Sequence, residues 1–433
     1  MDKNLIKRKK YFKKHHKKIK IISSKSNYAK TYSKRDHSRD LYKYFFKNII
    51  KIIILLIICV CIGVFEFDNI KSNSSYNEIK IIESKEYKNF DKMKNKITDP
   101  FFFGIMKEIS LIKYIYTDKT KKHKKGKNII HITVSLDNEE DYKYVLYVSM
   151  YSLLYNCNKR KTFVIYHLLC SPDFTEKSTD IFKPLVSNYS QNVELIFYNM
   201  GNFFMNRNRN GYPPATFYRV FTPLFIDSDR IIHLDGDCLI LTDLYEMYNL
   251  NFKGNYIFGF YDILADGVDY LGINSTVYIN AGVILLNLKK IRRDKKVHEL
   301  LNITTNPDFL LKKNAQTAMN YLFYPKIGRL PSKYGIFNFE DKSDLNVYLN
   351  FLRTKIPIEE LEDALNNPGI VHLVLCHPKP WSNNPTYYKS VTYCKQRHNC
   401  SCKKYFDLFH FYAQKTEYYE HIKKFCGVKH ILL

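Results

Sequence analysis

The sequence predicts an α/β fold, in which a parallel, doubly wound sheet carries helices on both faces. From residue 128 onward, short apolar runs that are typical of strands alternate with segments whose apolar residues recur at helical spacing. Apolar residues make up 45% of the 433 residues, which is enough for a substantial core. In sheets of this class ligands bind at the carboxyl ends of strands, so aspartates that follow the apolar runs are candidate site residues.

Each element is predicted from its local pattern. The strands are short, largely apolar runs, and the first helix carries Tyr144, Val145 and Val148 at helical spacing. The last helix of the series has a proline near each end, at Pro213 and Pro223. In order, the elements are a strand at 128–134, a helix at 141–155, a strand at 162–169, a helix at 175–188, a strand at 193–197, a helix at 213–225 and a strand at 231–234.

The most informative motif is Asp235-Gly236-Asp237, which directly follows the last of these strands. Residues i and i+2 lie on the same side of an extended backbone, so both carboxylates converge, and the glycine lets a ligand approach closely. Hard oxygen ligands in this arrangement suit Mg²⁺ or Mn²⁺ bound together with substrate phosphates. A second Asp-x-Asp, at 227–229, has no strand before it and predicts a solvated turn. Asp137 follows the first strand and is expected at the same edge of the sheet.

The first 127 residues are predicted to precede the catalytic domain. Residues 1–43 contain 16 Lys or Arg and 3 Asp, so their net charge is 16 − 3 = +13, and they predict a basic cytoplasmic tail. Part of this charge can be compositional bias, because the whole chain is rich in lysine. Residues 44–66 predict a transmembrane signal anchor if Lys47 and Lys51 reach the interface; a signal-peptide core or a buried helix is the alternative. Residues 67–127 are polar and predict a stem.

This topology predicts a single-pass type II protein of the Golgi or ER membrane, with residues 67–433 in the lumen. Five glycosylation sequons agree with that compartment, at Asn73, Asn188, Asn274, Asn302 and Asn399. A C-terminal extension, residues 391–433, follows the catalytic domain at 128–390. Its cysteines can form disulfides, hold zinc or remain free thiols; they are Cys394, Cys400, Cys402 and Cys426.

Several motifs occur in a fixed order between about Ile129 and Trp381. They are 134–138 (VSLDN), 215–219 (ATFYR), 232–237 (IHLDGD), 278–288 (YINAGVILLNL), 330–334 (LPSKY) and 379–381 (KPW). In this set the chain resembles glycosyltransferase family 8, which includes bacterial lipopolysaccharide galactosyltransferases and glycogenin. The resemblance implies a nucleotide-binding fold of the glycosyltransferase A type with a mixed central sheet. It also implies retaining transfer of a sugar from a UDP-sugar donor, with Mn²⁺ or Mg²⁺ as the cofactor.

The resemblance also assigns roles to residues. Asp235 and Asp237 would hold the metal, with a third ligand that is either His372, which is favoured because it follows an apolar run, or His377. Gln316 would lie near the reacting sugar carbon, so that Gln316 and Asp237 are the implied catalytic residues. Asp137 would meet the uracil, Tyr142 would stack on it, and Lys379 would neutralise the diphosphate. The complete set implied to bind the donor is Asp137, Tyr142, Arg219, Asp235, Gly236, Asn280 and Lys379.

One block departs from the family pattern. The family commonly has Asp-Gln-Asp beside the donor sugar, whereas this chain has Ala315-Gln316-Thr317. The departure predicts either a different donor sugar or weakened activity. Asp262, after an apolar run, could contact a sugar or could lie in a solvent-exposed turn. With no clear carboxylate nucleophile near Gln316, front-face departure and attack fits retention better than a covalent glycosyl-enzyme does.

These observations favour an enzyme that transfers a hexose, galactose or glucose, from a UDP-sugar to a glycan, glycolipid or glycoprotein acceptor. Two other classes stay open. A catalytically weak nucleotide-sugar-binding pseudoenzyme would explain Ala315 and Thr317. A binder of nucleic acid or of acidic membranes would explain the net charge of +26, although half of that charge lies in residues 1–43 and the leading hypothesis involves no nucleic acid.

Overall fold

The computed structural model describes residues 100–116, 124–137, 141–189, 192–205, 212–262, 271–274, 277–305, 315–337, 342–374, 379–381 and 401–425. The predicted tail and membrane anchor, His377 and the side chains of the four C-terminal cysteines lie outside these residues. Within the described ranges, no helix combines the length and the apolar character that a membrane span requires.

In the described part of the chain, eight strands form one mixed sheet in the order β1-β4-β3-β2-β5-β8-β7-β9, and three form a small sheet in the order β10-β11-β6. The strands are β1 (Ser110–Ile115), β2 (Asn128–Leu136), β3 (Thr162–Cys170), β4 (Val193–Asn199), β5 (Ile231–Leu234), β6 (Cys238–Ile240), β7 (Ile257–Tyr261), β8 (Ile279–Leu286), β9 (Ile327–Arg329), β10 (Ile336–Phe337) and β11 (Ile370–His372). All four predicted strands are present, and they pair in parallel as β4-β3-β2-β5.

Helices cover both faces of the large sheet. The α-helices are α1 (Pro100–Glu108), α2 (Tyr142–Asn156), α3 (Ala215–Tyr218), α4 (Thr222–Phe225), α5 (Tyr245–Tyr248), α6 (Leu288–Arg293), α7 (Lys296–Thr305), α8 (Ala315–Phe323), α9 (Lys342–Arg353), α10 (Ile358–Asn366), α11 (Ser401–Ala413) and α12 (Tyr419–Phe425). One apolar cluster joins α2, α11 and α12 to one face, and a second joins α1, α3, α4, α7 and α8 to the other. Successive side chains of a strand point to opposite faces of the sheet, and this separates the two clusters. Ile130 and Ile132 of β2 belong to the first cluster, whereas Phe163 and Ile165 of β3 belong to the second.

Two predicted helices are not continuous. Residues 175–188 form a 3₁₀ helix (Lys177–Phe182) and then a π-helical segment (Leu185–Tyr189). Pro184 lies between these segments, and a proline removes a helix hydrogen bond and clashes with the preceding turn. Residues 213–225 likewise form α3, a 3₁₀ turn (Arg219–Phe221) and α4, in which Pro223 occupies the first turn. Both segments are therefore helical, as predicted, but each combines more than one type of helix.

The sheet and its covering helices extend beyond the limits predicted for the catalytic domain. Strand β1 lies within the predicted stem, yet it pairs antiparallel with β4 as the edge of the large sheet. At the other end of the chain, α11 and its following turn pack on α2. The hydroxyl of Tyr147 donates to Glu417 at 3.1 Å, and Asn156 donates to the hydroxyl of Tyr412 at 2.7 Å. The stem and the C-terminal extension thus both contribute to the globular fold.

The topology brings several strand ends to one edge of the large sheet. Strands β2 and β5 are parallel and end at Leu136 and Leu234, so Asp137 and Asp235 follow them at the same edge. Strand β8 runs antiparallel to β5 and begins there, whereas β7 runs antiparallel to β8 and ends there. Asn280 near the start of β8 and Asp262 just after β7 therefore join the two aspartates, and this edge is the location of the candidate site.

Candidate active site

Three side chains with metal-binding atoms converge at the turn between β5 and β6. Asp235 and Asp237 belong to that turn, and His372 ends β11, where it pairs with Cys238 of β6 in the small sheet. The Nε2 atom of His372 lies 3.1 Å from Oδ1 of Asp237 and 3.7 Å from Oδ2 of Asp235. The pairing of β11 with β6 thus brings His372 across 135 residues to the predicted aspartates.

The electrostatic surroundings keep both carboxylates ionised. Burial opposes the ionisation of Asp237, but the charges of His372 and Lys379 outweigh it and lower its pKa to about 2. Burial also opposes the ionisation of Asp235, and Arg219 with the neighbouring histidines holds its pKa well below the usual range. The ammonium group of Lys379 donates to Oδ2 of Asp237 at 3.0 Å. Two ionised carboxylates and an imidazole form a donor set that fits a divalent cation.

Cys238 is a neighbour that was not predicted from the sequence. Its sulfur and the ligand atoms of Asp237 and His372 all lie within 4.8 Å of one another. Burial raises the pKa of this thiol well above its usual value, so it is neutral at physiological pH. A neutral thiol is a poor ligand for hard divalent ions, so the two carboxylates and His372 form the better site.

Two glycines allow the close packing of this turn. A Cβ atom at Gly282 would lie 2.2 Å from Cε1 of His372 and 2.7 Å from Oδ2 of Asp235. A Cβ atom at Gly236 would lie 2.8 Å from the hydroxyl oxygen of Tyr142. The phenol ring of Tyr142 therefore lies directly against the Asp235–Asp237 turn.

We expect Gly282→Ala to lower the affinity for Mn²⁺ by about 10-fold or more, because the added methyl must displace His372 or Asp235, and such disturbances of ligand support typically cost 10- to 100-fold. Titration of the protein with Mn²⁺, followed by electron paramagnetic resonance, measures the change. Gly104→Ala is the matched control, since nothing lies within 4 Å of a Cβ atom there. An unchanged affinity in Gly282→Ala would contradict the arrangement described for His372 and Asp235.

A cavity of about 410 Å³ opens beside these residues. Of the residues predicted to form the site, the cavity is lined by Asp137, Tyr142, Arg219, Asp235, Gly236, Asp237, Asn280, Gln316 and His372. Lys379 joins them through its contact with Asp237, whereas Ala315 is fully buried in the apolar core. The structure thus brings the predicted residues together and removes Ala315 from the cavity wall.

Arg219 belongs to the interior of the site. The residue is 6% exposed, so its ion pair with Asp235 is not an ordinary surface salt bridge. The guanidinium donates to Oδ1 of Asp235 at 2.7 Å and to the backbone oxygens of Thr216 and Ala281. Arg219 therefore supports a predicted metal ligand directly and still lines the cavity.

Gln316 is held by hydrogen bonds that fix the orientation of its amide. Its Oε1 accepts from the backbone N–H of Ala281 at 2.9 Å, and its Nε2 donates to Oδ2 of Asp262 at 2.9 Å. Asn280 donates to the same carboxylate oxygen at 3.1 Å. The same Nε2 also lies 3.3 Å from the hydroxyl of Tyr278, so contacts at both ends of the amide hold Gln316 in one orientation.

Asp262 is the candidate site residue that the sequence left undecided. The residue is 6% exposed, so it is not part of a solvent-exposed turn, and it lies next to Gln316. A carboxylate therefore neighbours Gln316, although neither residue beside Gln316 in the sequence carries one. The available signal was the position of Asp262 after an apolar run, the same signal that identified Asp235. Thr317, the other departure from the family pattern, is buried and bonds the hydroxyl of Tyr278 at 2.6 Å.

Comparison of the sequence with known proteins finds similarity to glycosyltransferases. The pattern of "Glycosyl transferase family 8" matches residues 131–385, more than half of the chain. Glycosyltransferase GlyE of Streptococcus pneumoniae serotype 4 is 27% identical over 169 residues, which cover 39% of this chain and 37% of GlyE. Lipopolysaccharide 1,2-glucosyltransferase of Escherichia coli is 22% identical over 315 residues, which cover 69% of this chain and 85% of that enzyme.

A solved apo structure of the bifunctional glycosyltransferase WbbM shares the fold, with a TM-score of 0.52 and 18% identity over 68% of this chain and 51% of WbbM. The chain spans less than half the length of GlyE and of its relative GlyF from the same bacterium. The predicted α/β fold of the glycosyltransferase A type, with its mixed sheet, is confirmed. Since the family pattern covers more than half of the chain, including the Asp235–Asp237 turn and His372, the chain belongs to glycosyltransferase family 8.

Proposed function

We propose that this protein transfers a hexose, galactose or glucose, from a UDP-sugar to a glycan, glycolipid or glycoprotein acceptor with the help of a divalent metal ion. The observation that carries the proposal is the convergence of Asp235, Asp237 and His372 beside a cavity that also contains Gln316. The binding site of a UDP-sugar must neutralise the charge of the diphosphate and must offer hydrogen-bonding groups to the sugar. The cavity offers both within one continuous space.

The polarity of the cavity indicates how the donor lies in it. Asp137 and Tyr142, which come after β2, line the cavity and would meet the uracil. Asn280 and Gln316 also line it, and their amides would face the hydroxyls of the sugar. The metal-binding residues lie in the same wall and complete a site for the diphosphate, which joins the two parts of the donor.

In the transfer, a bound divalent ion would neutralise the charge that develops on the departing UDP. Lys379, which contacts Asp237, is placed to share that task as a point charge. The amide of Gln316, which its hydrogen bonds hold in one orientation, would face the sugar, and the bond that its carbonyl oxygen accepts lowers the nucleophilicity of that oxygen. Oδ2 of Asp262 accepts two amide hydrogen bonds, which weakens it as a nucleophile, so we favour departure and attack on the same face of the sugar.

The proposal is tested by offering the full-length protein a panel of nucleotide sugars and measuring the release of nucleotide. UDP-galactose, UDP-glucose and UDP-N-acetylglucosamine test the donor sugar, and GDP-mannose tests the base. We expect turnover of at least one UDP-hexose, which Mn²⁺ stimulates and a chelator abolishes. Tight binding of UDP-sugars without any turnover would instead establish the pseudoenzyme.

A further inference from the structure

His233 is a fully buried histidine in a strand that is otherwise apolar. It lies in β5 two residues before Asp235, and its neighbours in the strand are Ile231, Ile232 and Leu234. Burying an imidazole costs free energy unless the ring makes a hydrogen bond, so packing alone does not account for a histidine at this position.

The hydrogen bond of His233 is directed at a predicted metal ligand. Nε2 lies 3.3 Å from Oδ1 of Asp235, so the N–H is on Nε2 and the carboxylate accepts it. Within the described part of the chain, Nδ1 of the ring is buried and has no hydrogen-bond partner. The bond to Asp235 is therefore the one polar contact of the His233 ring among the described residues.

Arg219 donates to the same oxygen of Asp235. Its Nη2 lies 2.7 Å from Oδ1, so Oδ1 accepts from both Arg219 and His233. The other oxygen, Oδ2, lies 3.7 Å from Nε2 of His372 and faces Gly282. Two donors on one side of the carboxylate leave the opposite oxygen directed towards the remaining metal-binding atoms.

We propose that His233 is a positioning residue that, together with Arg219, fixes the rotamer of Asp235 so that Oδ2 alone is presented to the divalent ion. The inference rests on the proposed metal-dependent function and adds a residue that supports the site from within the sheet. A supporting donor of this kind orients a ligand, and its removal typically lowers metal affinity by 10- to 100-fold.

The test is the affinity of the substrate-free protein for Mn²⁺, measured by electron paramagnetic resonance of the free ion. We expect His233→Phe, which fills the space without a donor, to weaken binding by about 10- to 100-fold. His233→Gln keeps an N–H donor and should bind within a few-fold of the wild type. His167→Phe is the matched control, because His167 is equally embedded in the same sheet but bonds His131 and Tyr198 instead of a carboxylate.

The outcomes separate the inference from the proposed function. Equal affinities of the wild type and His233→Phe would overturn the positioning role alone. Absence of Mn²⁺ binding by the folded wild-type protein would overturn the metal site, and the positioning role with it. If His233→Phe does not fold, His233→Leu, which is smaller and also lacks a donor, provides the same comparison with His233→Gln. Weak binding by His233→Gln and tight binding by His233→Leu would contradict the role of the N–H.

Discussion

Replacement of Asp237 by alanine is expected to reduce the turnover of a UDP-sugar by about 10²-fold or more. One oxygen of Asp237 lies next to His372 and the other next to Lys379, so its loss removes a predicted ligand and the carboxylate partner of both residues. The magnitude follows from the usual cost of losing one preorganised electrostatic group at a transition state. Release of UDP at saturating Mn²⁺ measures the effect, and circular dichroism should show that the domain remains folded, since Asp237 lies in a turn after β5.

Asp229→Ala is the control for this prediction. Asp229 belongs to the other Asp-x-Asp of the chain, and its side chain is 65% exposed and pairs with Lys289 at 3.2 Å. Exposed ion pairs contribute little, so both turnover and stability should stay close to those of the wild type. Loss of activity in Asp229→Ala as large as that in Asp237→Ala would show that the metal site was assigned to the wrong motif.

Asp262→Asn is expected to lower turnover by about 10- to 100-fold with little change in folding. The substitution keeps the shape of the side chain but removes the negative charge that two amides contact, and a hydrogen bond to a charged group contributes about 1.5–3 kcal/mol. Asp294→Asn provides a comparison. Asp294 follows α6, away from the site, and accepts hydrogen bonds from Tyr256 and from Lys290 of α6. We therefore expect this substitution to leave turnover unchanged. Full turnover in Asp262→Asn would show that the charge has no part in the reaction.

A variant of Asp262 distinguishes the two mechanisms by which the sugar can keep its configuration. These are departure and attack on one face of the sugar, and a covalent glycosyl-enzyme intermediate. If departure and attack occur on one face of the sugar, azide should not restore activity to Asp262→Ala. If Asp262 is instead the nucleophile, azide can enter the space left by its carboxylate and form a glycosyl azide of inverted configuration. Detection of that product by mass spectrometry and NMR would overturn the front-face proposal.

The sequence predicted the parts of the site that depend on local pattern. Asp137, Asp235 and Asp237 follow apolar strands, and the parallel pairing of β2 with β5 brings them to one edge. His372 could be proposed only from the family resemblance, because its place beside Asp237 depends on a small sheet that joins segments 135 residues apart. The alternative, His377, lies outside the described residues.

What the sequence did not predict depends on long-range packing. Asp262 follows a strand that reaches the site only because β7 runs antiparallel to β8, and no local pattern gives that direction. Ala315 departs from the family pattern, and the structure buries it in the core, so its methyl group does not line the cavity. The pairing of β1 with β4 and the packing of α11 on α2 likewise join segments far apart in the sequence.

The affinity of the wild-type protein for UDP, measured by calorimetry with Mn²⁺ and then with a chelator, tests the central claim most directly. If Asp235, Asp237 and His372 hold a divalent ion beside the diphosphate, its positive charge should strengthen UDP binding. We expect Mn²⁺ to tighten UDP binding by about 10-fold or more, which corresponds to about 1.4 kcal/mol of binding free energy. The same titration with Asp237→Ala should show no such gain. Equal UDP affinity in Mn²⁺ and in chelator would contradict the claim that this turn is the metal and diphosphate site.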